Sequence, residues 1–435
     1  MQRQKFTRHQ RGMCAVAILC LAFSAVSGCA RVLMPTPNLY AYGTAHEWDR
    51  VPPELQTNTV DVVYATDRAP LDSKQRGKHY GLARSRSLAF GTCTVAIGKN
   101  LSWPDLVAAS SKRRHGAIPL SIQQIDEIGR FPETPWEFNV VNGEPVADDE
   151  VIAQHERACR QVRELVAERL RSASRKDVYV YVHGFNNLFD DAAFIMAEFW
   201  HFSGREGVPL IYSWPAGGGA GFRSYNEDRE SGEFTVFHLK QFLEALVETP
   251  GLEKIHVIAH SRGTEVLTSA LRELNIKYRA MGRDPASTMK IGNLVLAAPD
   301  IDYDVATQRL SAERITRICE RLTVYSSPRD RALAAANWLF RSALRLGTLT
   351  LREIPRDRRL ALGKLRDVSF IRADVTSDFI GHSYFYKNPA VSSDLILLIR
   401  DDLDPGAENG RPLERDGGGF WTIRDNYLKY GPHAD

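Results

Sequence analysis

Eight stretches of the chain carry apolar side chains in the short runs or alternation that strands require. They are VDVVYATD (60–67), FGTCTVAIG (90–98), DVYVYVHG (177–184), VPLIYSW (208–214), KIHVIAHS (254–261), IGNLVLAAP (291–299), RLTVYSS (321–327) and VSFIRADV (368–375). From the third onward most are continuously apolar, the pattern of parallel strands buried on both faces. Between them the period changes. Residues 148–174 place Val151, Ala158, Val162, Leu165, Val166 and Leu170 three and four apart, as one helix face demands. FTVFHLKQFLEALVE (234–248) repeats this with Phe237, Phe242 and Leu246, TEVLTSALREL (264–274) reads as a helix after the fifth strand, and SSDLILLIRDDL (392–403) supplies a closing helix. Strand and helix in alternation predict an α/β protein with a mostly parallel central sheet and helices on both faces.

The same pattern divides the chain. The periodic region spans 58–403. Within it, residues 100–148 hold turn formers and few periodic apolar positions, so they read as an insertion or a long connection near the surface. Residues 331–366 contain ALAAANWLFRSALRLG, a candidate cap over a pocket or a helix packed on the sheet. Residues 404–435 read as a polar C-terminal tail, and 29–57, rich in Pro and turn formers, as a tether.

Composition alters this picture at one end only. With 43% hydrophobic and 25% charged residues the chain is an ordinary globular one, with enough apolar side chains for a sizeable core. The formal charge of +3 includes Arg3, Lys5, Arg8 and Arg11; without them 52 Lys and Arg face 53 Asp and Glu, which gives no reason to expect a nucleic-acid partner. Those basic residues precede the apolar run MCAVAILCLAFSAVSGCA, so residues 1–28 read as a signal peptide. Its end, Val26-Ser27-Gly28-Cys29, resembles a bacterial lipobox. That resemblance implies acylation of Cys29, attachment to a membrane and, with Ala30 following, an outer-membrane location facing the periplasm. Cys93, Cys159 and Cys319 remain, either as buried thiols or as one disulfide and one thiol. No Cys/His cluster is present and no metal site or cofactor is expected.

The candidate chemistry centres on Ser261. Serine nucleophiles need a hydroxyl held on a strained strand-to-helix turn, a histidine to take its proton, a carboxylate to orient that histidine, and donors for the oxyanion. In AHSRG the positions two before and two after Ser261 are Ala259 and Gly263, small enough for close backbone approach. His382 follows the last of the eight strands and is the candidate base; activity should then rise with pH as a histidine near ~6.5 loses its proton. Asp330, just past strand 321–327, is the first choice for the acid. Asp300 after the preceding strand is the alternative, and Asp378 lies four residues from His382. The VHGFNN segment resembles the oxyanion loop of lipases and esterases, which assigns the donors to the backbone N–H groups of Phe185 and Arg262 and leaves His183 structural.

VVYATDRAP, VYVHGFNN, YSWPAGG, AHSRGTEVL, LAAPDID, YSSPRDRAL and GHSYFY follow one another along the chain. Together they resemble an α/β-hydrolase, and more closely a family of uncharacterised bacterial α/β-hydrolases, often exported or lipoproteins. Ala259 and Arg262 depart slightly from its pattern. The resemblance implies a membrane-tethered serine hydrolase acting on a small-molecule or lipid ester or thioester through Ser261, Asp330 and His382. An acyltransferase using the same residues, or a binding lipoprotein that keeps the fold alone, are the alternatives.

Overall fold

A computed structural model describes residues 31–43, 47–71, 79–113, 116–219, 222–334, 345–349, 353–354, 356–365, 367–377 and 380–429. Its strands are β1 (Thr59–Pro70), β2 (Tyr80–Ile97), β3 (Leu120–Arg130), β4 (Phe138–Val141), β5 (Glu144–Ala147), β6 (Asp177–Val182), β7 (Val208–Ser213), β8 (Lys254–His260), β9 (Ile291–Ala297), β10 (Cys319–Ser326), β11 (Val368–Asp374), β12 (Glu414–Gly417) and β13 (Phe420–Arg424). The principal helices are α1 (Trp103–Ser110), α2 (Asp149–Ser172), α3 (Phe189–Phe202), α4 (Phe222–Val247), α5 (Gly263–Ala280) and α6 (Pro389–Ile399).

One sheet runs β12-β13-β11-β10-β9-β8-β6-β7-β1-β2-β3. Every neighbouring pair from β13 through to β1 is parallel. Antiparallel strands close both ends, β2 and β3 at one and β12 at the other. The β6 sequence DVYVYV shows how the sheet separates two cores. Val178, Val180 and Val182 join the apolar cluster that holds α2, α4 and α5, whereas Tyr179 and Tyr181 point into the cluster that holds α3 and α6. This is the α/β-hydrolase architecture that the motif order implied.

The six periodic positions of α2 are its buried residues. On α4, Phe242 and Leu246 are buried but Phe237 is 45% exposed, so the inward stripe lies one position away, through Val236 and Leu239. Helix α3 lacks a helical signature because twelve of its fourteen residues are buried. A helix enclosed on all sides has no polar face to set a 3.6-residue period.

Three segments differ from expectation. Residues 31–43 and 47–57, within the expected tether at 29–57, lie against the body: Leu33, Met34, Tyr40, Trp48 and Val51 are buried in the α3–α6 layer. The Met34 N–H donates to Glu198 Oε1 at 2.6 Å. Residues 404–429 are likewise not a polar tail, because β13 extends the sheet beside β11 and buries Phe420, Trp421 and Ile423. Residues 100–148 supply α1, the edge strand β3 and the exposed β4–β5 hairpin. Residues 335–344 of the candidate cap at 331–366, the expected signal peptide and Cys29 lie outside the described residues. Among the described residues no helix is long and apolar enough to cross a membrane, and Cys93, Cys159 and Cys319 are free thiols.

Candidate active site

The sheet order turns at β6, with β7 on one side and β8 on the other. The carboxyl ends of strands flanking such a point open a crevice between the loops that leave in opposite directions. The 183–188 loop leaves β6 there, and Ser261 immediately follows β8.

Ser261 is buried and has φ 51°, a left-handed conformation that costs a non-glycine residue about 1 kcal/mol or more. The turn is held from both sides. The Ser261 N–H donates to Ala297 O at 2.9 Å, and Ser261 O accepts from Thr264 Oγ1 at 2.6 Å and from the Asp300 N–H at 3.3 Å. Gly263 opens α5 where a Cβ would lie 2.3 Å from His183 O and 2.7 Å from Val182 O. A Cβ on Gly184 would lie 2.6 Å from Ser261 Cβ. The β6 loop therefore rests directly on the serine turn. Ala259 is tolerated because it stands in register between Val182 and Leu296 and its methyl joins them in the apolar cluster on the face that holds α2, α4 and α5. Gly263→Ala is expected to cost about 3 kcal/mol, since backbone rather than a flexible side chain must move, while Ala259→Gly costs about 1 kcal/mol or less. Urea unfolding of the two variants checks this; similar costs for both would contradict the packing.

His382 and Asp330 are brought together. Their Nδ1 and Oδ2 atoms are 2.6 Å apart, and Asp330 is almost fully buried. The second carboxylate oxygen, Oδ1, accepts from the Leu333 N–H at 3.0 Å. Two contacts lock the loops that carry the pair. Arg331 N–H donates to Ile380 O at 2.9 Å, and Gly381, at φ 72°, packs where a Cβ would lie 2.5 Å from Arg329 O. His260 supports His382 from below, donating from Nε2 to His382 O at 3.1 Å with ring centroids 4.7 Å apart. Burial, reinforced by His382, holds His260 well below the ordinary histidine range, so it is neutral.

Asp300, the alternative acid, turns elsewhere. Its Oδ2 accepts from Tyr225 OH at 2.7 Å and its Oδ1 lies 3.1 Å from Arg345 Nη1. Asp378 lies outside the described residues. Tyr225 also packs its ring against Phe185, at 5.4 Å, and beneath the Arg262 guanidinium, at 5.9 Å. Arg262 is thus buried rather than spread on the surface, with Nη1 3.4 Å from Glu265.

His183 is a fully buried loop residue. Its Nδ1 donates to Gly184 O at 3.0 Å, and its Nε2 accepts from the Trp214 N–H at 3.1 Å and from Arg68 Nη2 at 3.2 Å. Burial and the Arg68 charge push it down to about 3, so the ring stays neutral. Arg68, Asp228, Tyr225 and His260 form the surroundings of the loop and were not singled out from sequence. Arg68 and His260 stand inside the quoted segments VVYATDRAP and AHSRGTEVL, which by themselves give them no role, and Tyr225 and Asp228 lie in none of them.

An open-sheet α/β fold with a serine on a strained turn after a central strand, and a histidine–carboxylate pair beyond later strands, defines an α/β-hydrolase. Residues 159–400 match the family described as "Alpha/beta hydrolase of unknown function (DUF900)", and the chain belongs to that family. No curated protein matches it.

Proposed function

We propose that the protein is a serine hydrolase of carboxylic esters or thioesters, held at the bacterial cell envelope through an acylated Cys29. The observation that carries the reading is the pairing of Asp330 with His382 near the end of the sheet where Ser261 is held at positive φ against Gly184. In this reading Asp330 accepts the Nδ1–H of His382, which leaves the Nε2 lone pair to take the Ser261 proton. Ser261 Oγ attacks the acyl carbon, and the charge that develops on the carbonyl oxygen is met by the N–H groups of Phe185 and Arg262. Collapse expels the alcohol or thiol, which leaves with the proton from His382. Water then attacks the acyl-serine by the same route in reverse and releases the acid. The lipobox-like VSGC sequence supports the envelope location, outer membrane facing the periplasm.

Labelling with a fluorophosphonate tests the reading. The protein should be phosphonylated on the peptide that contains Ser261, and Ser261→Ala should not be labelled. Absence of labelling in the wild type, or equal labelling of the variant, overturns it.

A further inference from the structure

The groups that hold the 183–187 loop include a charge whose burial the stability of the fold does not explain. Arg68, at the end of β1, is fully buried. Its guanidinium donates to Ser213 Oγ (2.9 Å), Gly81 O (3.1 Å), Ala216 O (2.8 Å), His183 Nε2 (3.2 Å) and Asn187 O (2.7 Å). All of these acceptors are neutral. The neighbouring Asp67 turns its Oδ2 to His238 Nδ1 at 2.9 Å. Burial pushes the Arg68 guanidinium down to about 10 in spite of Asp67 and Asp228 nearby. Removing such an ion from water is unfavourable, and an apolar side chain of similar volume would fill the same space without that penalty.

The bonds themselves show what the charge achieves. Arg68 and the Trp214 N–H both require an acceptor at His183 Nε2, so the ring proton sits on Nδ1 and is given to Gly184 O. In a trans peptide the N–H points opposite to the C=O. Fixing Gly184 O therefore fixes the direction of the Phe185 N–H. The far side of the loop is held by the opposite charge. Asp228 on α4 is 4% exposed, and its Oδ2 accepts from the Asn186 N–H at 3.0 Å and from the Gly217 N–H at 3.3 Å. Asn187 Nδ2 takes up Phe185 O at 2.8 Å. The loop is gripped at 184, 186 and 187 by a cation and an anion that do not bond one another directly.

We propose that Arg68 and Asp228 are positioning residues that set the direction of the Phe185 N–H over Ser261. This rests on the serine-hydrolase reading above. Arg68 lies outside the span that matches the family, 159–400, so nothing in that match assigns it a role.

The test compares fluorophosphonate labelling rates and acyl-ester kinetics of the whole protein, wild type against Arg68→Ala and Asp228→Asn, at a temperature where each variant is folded by circular dichroism. Arg68→Ala should lower both kcat and the labelling rate about 100-fold, comparable to losing one oxyanion donor, with KM changed by less than about threefold. Asp228→Asn keeps the shape and one acceptor oxygen and should lose about tenfold. A role confined to folding would lower the melting temperature and leave both rates of the folded protein unchanged. If Arg68→Ala does not fold, Asp228→Asn decides. Wild-type rates in the folded variants overturn the proposal. A wild type that is not labelled at Ser261 is recognised before any variant is compared; it defeats the hydrolase reading and this proposal with it.

Discussion

Replacing Asp330 by Asn should lower kcat for a short-chain acyl ester by about 10⁴-fold while KM changes little. The expected size follows from how the carboxylate is divided. Its Oδ1 is committed to the Leu333 N–H and its Oδ2 to His382 Nδ1. An asparagine must keep its oxygen toward Leu333, because only an acceptor suits that N–H. Its NH₂ group then faces His382 and demands an acceptor at Nδ1. The imidazole proton moves to Nε2, the position that the proposed mechanism needs empty to take the Ser261 proton. Geometry is retained and the tautomer is wrong. Asp300→Asn meets a different environment, in which Tyr225 OH and Arg345 are the partners. It should keep kcat within about tenfold of wild type and lose about 1–3 kcal/mol of stability through the weakened ion pair. Ser261→Ala sets the floor, about 10⁶-fold down. Steady-state kinetics and urea titration of the three variants separate the cases. A large loss of kcat in Asp300→Asn with none in Asp330→Asn would transfer the role to Asp300.

That choice was open in the sequence for a physical reason. Asp300 and Asp330 each stand just past a buried parallel strand, β9 and β10, and nothing in the residues around them separates the two. Chain order orients the search but does not say which turn folds onto His382. The interlocking of Gly381 with Arg329 O decides it, and a contact between segments about fifty residues apart leaves no local pattern. The strands were legible because uninterrupted valine, isoleucine and leucine runs follow from burial on both sheet faces. The α2 stripe was legible because one face meets water. Helix α3 was not, since burial on all sides removes the contrast on which periodicity depends. Residues 31–43 and 47–57 pack through a few separated anchors, Leu33, Met34, Tyr40, Trp48 and Val51, on turns and short helical pieces too brief for a period to register. The surroundings of the 183–187 loop were the least visible part. Arg68 and Asp228 are polar residues whose partners are mostly backbone groups far along the chain, and backbone groups carry no sequence signal.

Arg411→Ala is expected to destabilise the protein by about 4 kcal/mol. Arg411 lies in the segment read from sequence as a polar tail, yet it is fully buried together with Asp394 of α6. The two form a bidentate pair, Nε to Oδ1 and Nη2 to Oδ2, each at 2.9 Å. Asp394 also accepts from Tyr427 OH at 2.8 Å and from Tyr325 OH at 2.7 Å, while Arg411 Nη1 donates to Leu403 O at 2.9 Å. This cluster joins the last strands to α6 and β10. Removing the guanidinium leaves the buried carboxylate with two hydroxyl donors and no compensating charge. Deleting both charges together, as Arg411→Met with Asp394→Leu, should cost less than Arg411→Ala alone, because desolvation of the pair offsets most of its attraction. Urea unfolding of the single and double variants measures the difference. A single-variant loss below about 1 kcal/mol, or a double variant weaker than the single, would mean that the buried pair does not anchor this end of the sheet.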